Sequence, residues 1–222
     1  MPVASRRAAS PSATSSPDLT VAVIRRIGFL ASGAGTTFEA VTEACRAGVL
    51  PFDPVILIGN NPKAGAFERA NRLGIAAHHI SAKSAGGEDA ADIAVSAALT
   101  AAQVDLVVLA GYLKKIGPRV LQAFGGRIVN THPALLPKFG GPGMYGILVH
   151  TAVLAAGETV TGVTVHLVEE EYDRGPILAQ AEVLVDPDDT PESLAARVQA
   201  CEKPFLIETL RRLGAGELTL PR

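Results

Sequence analysis

Two polar side chains, Asn130 and His132, directly follow the strand-like run of residues 127–129. Side chains two positions apart on a strand point to the same face, so both would project from the carboxyl end of that strand. Open α/β sheets bind their ligands at this edge. An amide that donates to a developing oxyanion, beside an imidazole that moves a proton, suits acyl transfer. The alternative is that Asn130 and Pro133 shape a loop and His132 is merely exposed.

An acidic residue, Asp173, lies further along the chain in the turn-like segment 171–176. A carboxylate close to His132 would orient the imidazole and favour its charged form. Asn130, His132 and Asp173 are therefore the candidate catalytic residues.

A glycine-rich segment from Gly33 to Thr37 follows the first predicted strand, where α/β folds often bind phosphate. Glycines let backbone amides approach an anion, and the start of the following helix adds partial positive charge. Thr36 and Glu39 match a capping box, which predicts the helix start. The alternative is a tight strand-to-helix turn that binds nothing.

Two better-known glycine motifs do not fit this segment. A dinucleotide-binding motif needs a small residue where Phe38 stands and an acid after the second strand, where residues 59–61 read Gly-Asn-Asn. A P-loop needs Gly-Lys-Ser or Gly-Lys-Thr, which the segment lacks. The segment therefore predicts binding of a single phosphate group.

Short apolar strands alternate with helical patterns through residue 130. The predicted strands are 27–31, 54–58, 76–80, 106–110 and 127–130, and the predicted helices are 38–47, 64–73, 90–102 and 118–124. This alternation predicts an α/β fold, a three-layer Rossmann-like arrangement with a mostly parallel sheet and helices on both faces.

The remainder of the chain has a different pattern. Strands are predicted at 163–168 and 179–185, on either side of Asp173. A long helix is predicted from Pro191 onwards, and Pro204 is expected to kink or interrupt it. Its core-facing stripe consists of Leu194, Val198, Cys201 and Phe205.

Composition excludes several classes of protein. The 222 residues suffice for one domain or two small lobes, and the formal net charge of −2 gives no general attraction to nucleic acid or to an anionic membrane. No apolar run approaches the roughly 20 residues that cross a bilayer. No His, Cys, Asp and Glu cluster has zinc spacing, so no metal is expected. Residues 1–25 are expected to be a disordered extension, with a transit peptide as the alternative.

Taken together, these residues resemble the phosphoribosylglycinamide formyltransferase family within the folate-dependent formyl transferases. The resemblance covers about residues 26 to 220. Its motifs are Ser-Gly-x-Gly-Thr from Ser32, Val-Leu-Ala-Gly-Tyr from Val108, Asn-x-His-Pro-x-Leu-Leu-Pro from Asn130, Thr-Gly-Val-Thr-Val-His from Thr161 and Asp-x-Gly-Pro-Ile from Asp173.

The resemblance implies transfer of a formyl group from 10-formyltetrahydrofolate to the glycine amine of glycinamide ribonucleotide in purine synthesis. It implies that Asn130 hydrogen-bonds the formyl oxygen, that His132 moves a proton, and that Asp173 holds His132 and a relaying water. The binding residues that it implies are Gly35, Thr36, Thr37 and Glu202 for the ribonucleotide, and Leu113, Lys114, Lys115 and Ile116 for the folate.

The resemblance also implies an organisation. Residues 26–222 would form the formyltransferase domain, with a nucleotide-binding lobe at about 26–125, a folate and catalytic lobe at about 126–222, and the active site at their seam. The expected partners are small molecules, without nucleic acid or membrane. The expected protein is a cytoplasmic monomer or homodimer.

The sequence departs from the family pattern in three places. Gly86, Gly87 and Glu88 stand where the family often has an Arg that helps to hold the folate. Lys114 and Lys115 replace an Arg and an apolar residue, and the loop at 139–146 is longer than usual. These differences concern folate contacts rather than the reaction. His150 and His166 match positions near the site but have no assigned role.

Three alternatives remain. The first two are a formyltetrahydrofolate deformylase and a methionyl-tRNA formyltransferase, which usually carry an additional domain for which residues 1–25 and 215–222 are expected to leave no room. The third is a non-catalytic ligand-binding protein on the same fold, which the joint presence of Asn130, His132 and Asp173 disfavours.

Overall fold

A computed structural model describes residues 24–221. The expected extension at residues 1–25 thus lies almost wholly outside the described residues. From the first described residue the chain makes ordered contacts: Ile24 packs against the core, and the backbone N–H of Arg25 donates to Oδ2 of Asp105 at 2.9 Å.

One seven-stranded sheet organises the fold. Its strands are β1 (Arg26–Ala31), β2 (Asp53–Gly59), β3 (Ala76–His79), β4 (Leu106–Leu109), β5 (Ile128–His132), β6 (Val160–Leu167) and β7 (Ile177–Leu184). They lie in the order β3-β2-β1-β4-β5-β6-β7. The first five strands are parallel, whereas β6 runs antiparallel to β5 and β7 antiparallel to β6.

Helices cover both faces of the sheet. They are α1 (Thr36–Arg46), α2 (Ala66–Arg72), α3 (Ala82–Ala85), α4 (Glu88–Ala101), α5 (Pro118–Phe124), α6 (Ile147–Ala155) and α7 (Pro191–Gly214). The core on one face includes side chains of α1, α2, α6 and α7, and the core on the other includes those of α4 and α5. The predicted three-layer α/β fold is confirmed.

Strand β4 shows why its sequence is uniformly apolar. Leu106 and Val108 belong to the core beneath α1, α2 and α7, whereas Val107 and Leu109 belong to the core beneath α4 and α5. Side chains alternate between the faces of a strand, and here both faces are covered. The four-residue strand is therefore buried throughout.

Several sequence expectations need correction. Strand β5 extends to His132, because its last residues pair with β6 and not only with a parallel neighbour. Pro204 does not interrupt α7, which continues from Pro191 to Gly214. The stripe of Leu194, Val198, Cys201 and Phe205 does pack into the core beneath α7. The four-residue helix α3 was not predicted and begins with a Ser81 capping box.

Within residues 24–221, no helix is both long enough and apolar enough to cross a membrane.

Candidate active site

Strand β5 carries two of the candidate catalytic residues on one face of the sheet. The antiparallel register of β6 places His166 opposite Asn130 and Thr164 opposite His132. Both histidines are almost fully buried, with 3% of His132 and 2% of His166 exposed. The reversal of strand direction at β6 thus adds a second buried imidazole beside the first.

Asp173 reaches the same place from the loop between β6 and β7. Its backbone φ of 55° is unusual for a residue other than glycine. Its Oδ2 lies 3.6 Å from Nδ1 of His132, and its Oδ1 lies 3.6 Å from Nε2 of His166. The backbone N–H of Gly141 donates to Oδ2 at 2.8 Å. The Asp173 carboxylate therefore lies between His132 and His166, and His166 in turn contacts the amide of Asn130.

The neighbours of the two ring nitrogens of His132 indicate which of them carries a hydrogen. Its Nε2 lies 2.8 Å from the carbonyl oxygen of Phe139, which can only accept, so Nε2 carries a hydrogen. Its Nδ1 faces the Asp173 carboxylate. A doubly protonated ring satisfies both neighbours. This geometry suits an imidazolium, which stabilises the negative charge that develops on a nearby carbonyl oxygen during acyl transfer.

Two further histidines surround His132 and are held neutral. Burial, and then the positive charge of His132, lower the pKa of His150. Burial is also the largest cause that lowers the pKa of His166, although its bond to the Leu167 carbonyl and the nearby Asp173 oppose the shift. Both of these rings therefore favour their neutral forms.

Side-chain hydrogen bonds hold the segment after β5 against the antiparallel strands. The Thr164 hydroxyl donates to the carbonyl of Ala134 at 2.6 Å and accepts from the backbone N–H of Leu136 at 3.0 Å. The Gln180 amide donates to the carbonyl of Leu136 at 2.9 Å. These contacts fix the start of the loop whose Phe139 carbonyl bonds His132.

Two adjoining cavities open beside this cluster. The larger is a cleft of about 1420 Å³ between α4, α5 and the segment after β4. The smaller, of about 80 Å³, is lined by Asn130, His166 and Asp173. Lys114 and Lys115 line both cavities. A ligand in the cleft could therefore extend a reactive group to Asn130.

The predicted folate-binding segment, residues 113–116, contains both buried and exposed side chains. Ile116 is buried in the core and also lines both cavities, with Lys114 and Lys115 exposed beside it. Leu113 is 69% exposed and lines neither cavity. The acidic Glu88, at the start of α4, also lines the larger cleft.

The glycine-rich segment forms the turn from β1 into α1. Gly35 is the N-cap of α1 with a φ of 77°, and no side chain caps the helix. The first-turn amides have no acceptor within the helix, so they can receive an anion. The predicted capping box is wrong, because Glu39 instead pairs with Arg69 and Arg72. Thr36 and Thr37 are the first two residues of the helix.

Packing explains the glycine at position 35. A Cβ there would lie 2.6 Å from Cα of Ala66, at the start of α2. The backbone N–H of Ala66 donates to the carbonyl of Gly33 at 3.2 Å, and the Arg69 Nε donates to the carbonyl of Ala34 at 2.8 Å. Helix α2 therefore packs against the glycine turn and hydrogen-bonds two of its carbonyl groups. A Cβ on Gly33 would meet nothing within 4 Å.

Ser32 joins the glycine turn to the segment after β4. Its backbone N–H donates to the carbonyl of Gly111 at 3.0 Å, and its hydroxyl accepts from the backbone N–H of Leu113 at 2.8 Å. Ser32 had no predicted role beyond its place in a motif. Phe139 and Gly141 were also missed, because they act through backbone atoms and leave no side-chain signal.

Glu202 lies on helix α7 and lines neither of the two cavities. This helix packs against α1, β6 and β7 on the face opposite α4 and α5. Burial raises the pKa of Glu202 to about 7, and the neighbouring Lys203 only partly offsets this effect. A carboxyl group that is partly protonated near neutral pH is a candidate ligand contact.

Among residues 24–221, no group of three or more His, Cys, Asp or Glu side chains is arranged to hold a metal ion.

Comparison with known proteins matches residues 25–210 to the formyl transferase family model. The chain is 42% identical to the chloroplastic phosphoribosylglycinamide formyltransferase of Arabidopsis thaliana, over 84% of this chain and 64% of that relative. It thus spans less than two thirds of the length of that protein. It is 34% identical to the Bacillus subtilis phosphoribosylglycinamide formyltransferase, over 86% of this chain and 95% of the relative.

A solved structure agrees with these matches. The glycinamide ribonucleotide transformylase 1 of Symbiobacterium toebii superposes with a TM-score of 0.82 at 38% identity, covering 90% of this chain and 92% of that one. The family model matches most of the chain, and this solved structure has the same fold as the chain. This chain belongs to the formyl transferase family.

Proposed function

We propose that this protein transfers the formyl group of 10-formyltetrahydrofolate to the amine of glycinamide ribonucleotide. The observation that carries the proposal is that Asn130 and Asp173 line the small cavity beside the large cleft, with His132 next to Asp173. The relatives named for this reaction support the choice of substrates.

The proposed reaction uses the hydrogen-bond donors and the imidazole of the site. The neutral amine attacks the formyl carbon, and the formyl oxygen gains negative charge. An N–H of Asn130 donates to that oxygen, and the imidazolium of His132 stabilises the charge. As the tetrahedral intermediate collapses, the amine loses its proton and the folate nitrogen gains one. Asp173 keeps His132 oriented, and its distance of 3.6 Å from Nδ1 can shorten when the substrates bind.

The ribonucleotide phosphate is proposed to bind at the glycine turn. Gly35 allows close approach, and the first-turn amides at Thr36 and Thr37 donate to the phosphate. Glu202 is proposed to contact the same substrate from α7. Residues at about 26–125 would thus form a nucleotide-binding lobe, and those at about 126–222 the folate and catalytic lobe.

The folate is proposed to occupy the large cleft. Lys114, Lys115 and Ile116 line it, and Leu113 extends the same segment outside it. The lysines supply positive charge for the carboxylates of the folate, which offsets the acidic Glu88. Lys114 and Lys115 also line the smaller cavity that contains Asn130, so the folate can reach the site of transfer.

The experiment is an assay of the purified full chain with 10-formyltetrahydrofolate, in the presence and absence of glycinamide ribonucleotide. The proposal predicts tetrahydrofolate release only when the ribonucleotide is present, with one formylated product per folate consumed. Folate release without any amine acceptor would indicate a deformylase instead. Binding of both substrates without turnover would indicate a ligand-binding protein.

A further inference from the structure

His166 occupies a central position in the cluster but takes no part in the reaction described so far. It lies on β6 directly opposite Asn130, and only 2% of it is exposed. Both of its ring nitrogens contact polar atoms. These two contacts determine which ring nitrogen of His166 carries the hydrogen. That in turn determines how the amide of Asn130 is oriented.

The Nδ1 contact fixes the tautomer. Nδ1 lies 2.8 Å from the carbonyl oxygen of Leu167, the next residue along β6. A carbonyl oxygen only accepts, so the hydrogen must be on Nδ1. In the neutral ring Nε2 then carries a lone pair and can only accept.

The Nε2 contact fixes the amide of Asn130. Nδ2 of Asn130 lies 3.1 Å from Nε2 of His166 and donates to its lone pair. If the amide were turned over, Oδ1 would face that lone pair without a hydrogen between them. One N–H of Asn130 is thus committed to His166, and the second N–H remains available to a ligand in the small cavity that both residues line.

The charged groups around His166 come from three directions. His132 on β5 disfavours a second positive charge, whereas the Oδ1 of Asp173, 3.6 Å from Nε2, favours it. The cavity that His166 lines also contains the titratable groups of Tyr112, Lys114, Lys115, Glu169, Glu170, Glu171 and Tyr172. Burial adds to the effect of His132, and together they lower the pKa of His166.

We infer that neutral His166, with its hydrogen on Nδ1, is a positioning residue that turns the amide nitrogen of Asn130 toward the formyl oxygen. Protonation of Nε2 would replace the acceptor by a donor, so Asn130 would turn its Oδ1 to His166 and withdraw its N–H groups from the substrate. This inference rests on the proposed role of Asn130 in formyl transfer.

Two substitutions separate the contacts of His166. His166→Asn can place its amide nitrogen near the position of Nδ1 and keep the bond to Leu167, but it removes the acceptor for Asn130. His166→Gln can place an amide oxygen near the position of Nε2, where it accepts from Asn130. Loss of an oriented donor to the developing oxyanion lowers kcat by about 10²-fold or more. We expect that loss for His166→Asn, with an unchanged KM, and most of the wild-type kcat for His166→Gln.

The pH profile supplies a readout that a merely structural role would not change. Glutamine does not titrate, so His166→Gln should retain activity further into the acid range than the wild type does. Equal losses in the Asn and Gln variants, with normal melting temperatures, would overturn the inference. An unchanged acid limb in an active His166→Gln variant would also contradict it.

Nitrogen NMR of the histidine rings tests the inference independently of activity. The full-length protein labelled with ¹⁵N at histidine should show His166 as the Nδ1–H tautomer at neutral pH, identified by loss of its signals in the His166→Gln spectrum. A hydrogen on Nε2 would overturn the inference, whether or not the protein transfers formyl groups. If the tautomer is as expected but no transfer occurs, the proposed function fails, whereas the orientation of the Asn130 amide by His166 stands.

Discussion

The turn after β1 and the cluster at the end of β5 differ in the kind of atom that they present. The turn presents backbone amides at the start of α1, held in place by Gly35 and by the packing of Ala66. The cluster presents titratable side chains, buried and contacting one another. Backbone amides hold an anion but cannot exchange protons, whereas imidazoles and carboxylates can. The two regions should therefore fail in different ways when they are altered.

The largest effect is expected in the cluster. His132→Ala should lower kcat by about 10²- to 10⁴-fold, the usual contribution of a general acid or base, and leave both KM values nearly unchanged. Steady-state kinetics would measure this. Thr131→Val is a matched control on the same strand, since Thr131 points to the opposite face and its buried hydroxyl lacks a hydrogen-bond partner among the described residues. A near-normal kcat in His132→Ala would remove the proposed role.

The turn should instead affect binding of one substrate. A Cβ on Gly33 would have no atom within 4 Å, so Gly33→Val adds bulk at the turn without a close contact at its Cβ. Loss of one bond to a charged group costs about 1.5–3 kcal/mol, which is about tenfold or more in affinity. We expect that increase in KM for the ribonucleotide, with kcat and folate affinity retained. Equal weakening of both substrates would argue against a phosphate site.

Gly35 is a poor position for the same test. Its φ of 77° and the contact with Ala66 mean that any side chain disturbs the turn itself. Gly35→Val should lower the melting temperature and weaken both substrates, whether or not phosphate binds. The pair of variants thus separates the structural need for glycine from the functional one, and a Gly35→Val protein with normal stability would contradict this reading.

Glu202, which is proposed to contact the ribonucleotide, should also affect the stability of the fold. Its pKa is raised from 4.5 to about 7, so the folded protein holds a proton that the unfolded chain has already lost between these values. The contribution of Glu202 to the free energy of unfolding is therefore fully present below about pH 4.5 and is lost as the pH rises through about 7. Glu202→Gln should raise the melting temperature at pH 8 more than at pH 5, while KM for the ribonucleotide increases severalfold. A lower melting temperature at pH 8 would contradict this expectation.

The smallest effects are expected at the exposed lysines of the cleft. Charges of this kind contribute about 0–1 kcal/mol, so Lys114→Ala or Lys115→Ala should raise KM for the folate by up to about fivefold. The difference from the wild type should shrink as salt is added, because exposed charges are screened. A change in KM for the ribonucleotide but not for the folate would assign the lysines to the other substrate.

The sequence predicted some of these features better than others, for physical reasons. The strands and the glycine turn depend on local patterns, so uniform apolar runs such as β4 and the sequence at Gly35 were informative. Asn130 and His132 were paired by strand periodicity alone. The contacts of His166 and of the Phe139 carbonyl depend on the antiparallel register of β6 and on a loop conformation, which no local pattern specifies. The error at Glu39 arose because Arg69 and Arg72 approach from a different helix.

A crystal structure with glycinamide ribonucleotide and a non-reactive folate analogue would test most directly whether the turn after β1 binds the phosphate and the cluster at the end of β5 contacts the reacting groups. The phosphate should lie within hydrogen-bonding distance of the amides of Thr36 and Thr37, and the amine should point to Asn130 and His132 across the seam. The folate analogue should fill the cleft beside Lys114 and Lys115. A phosphate bound in that cleft, with the glycine turn unoccupied, would contradict the account.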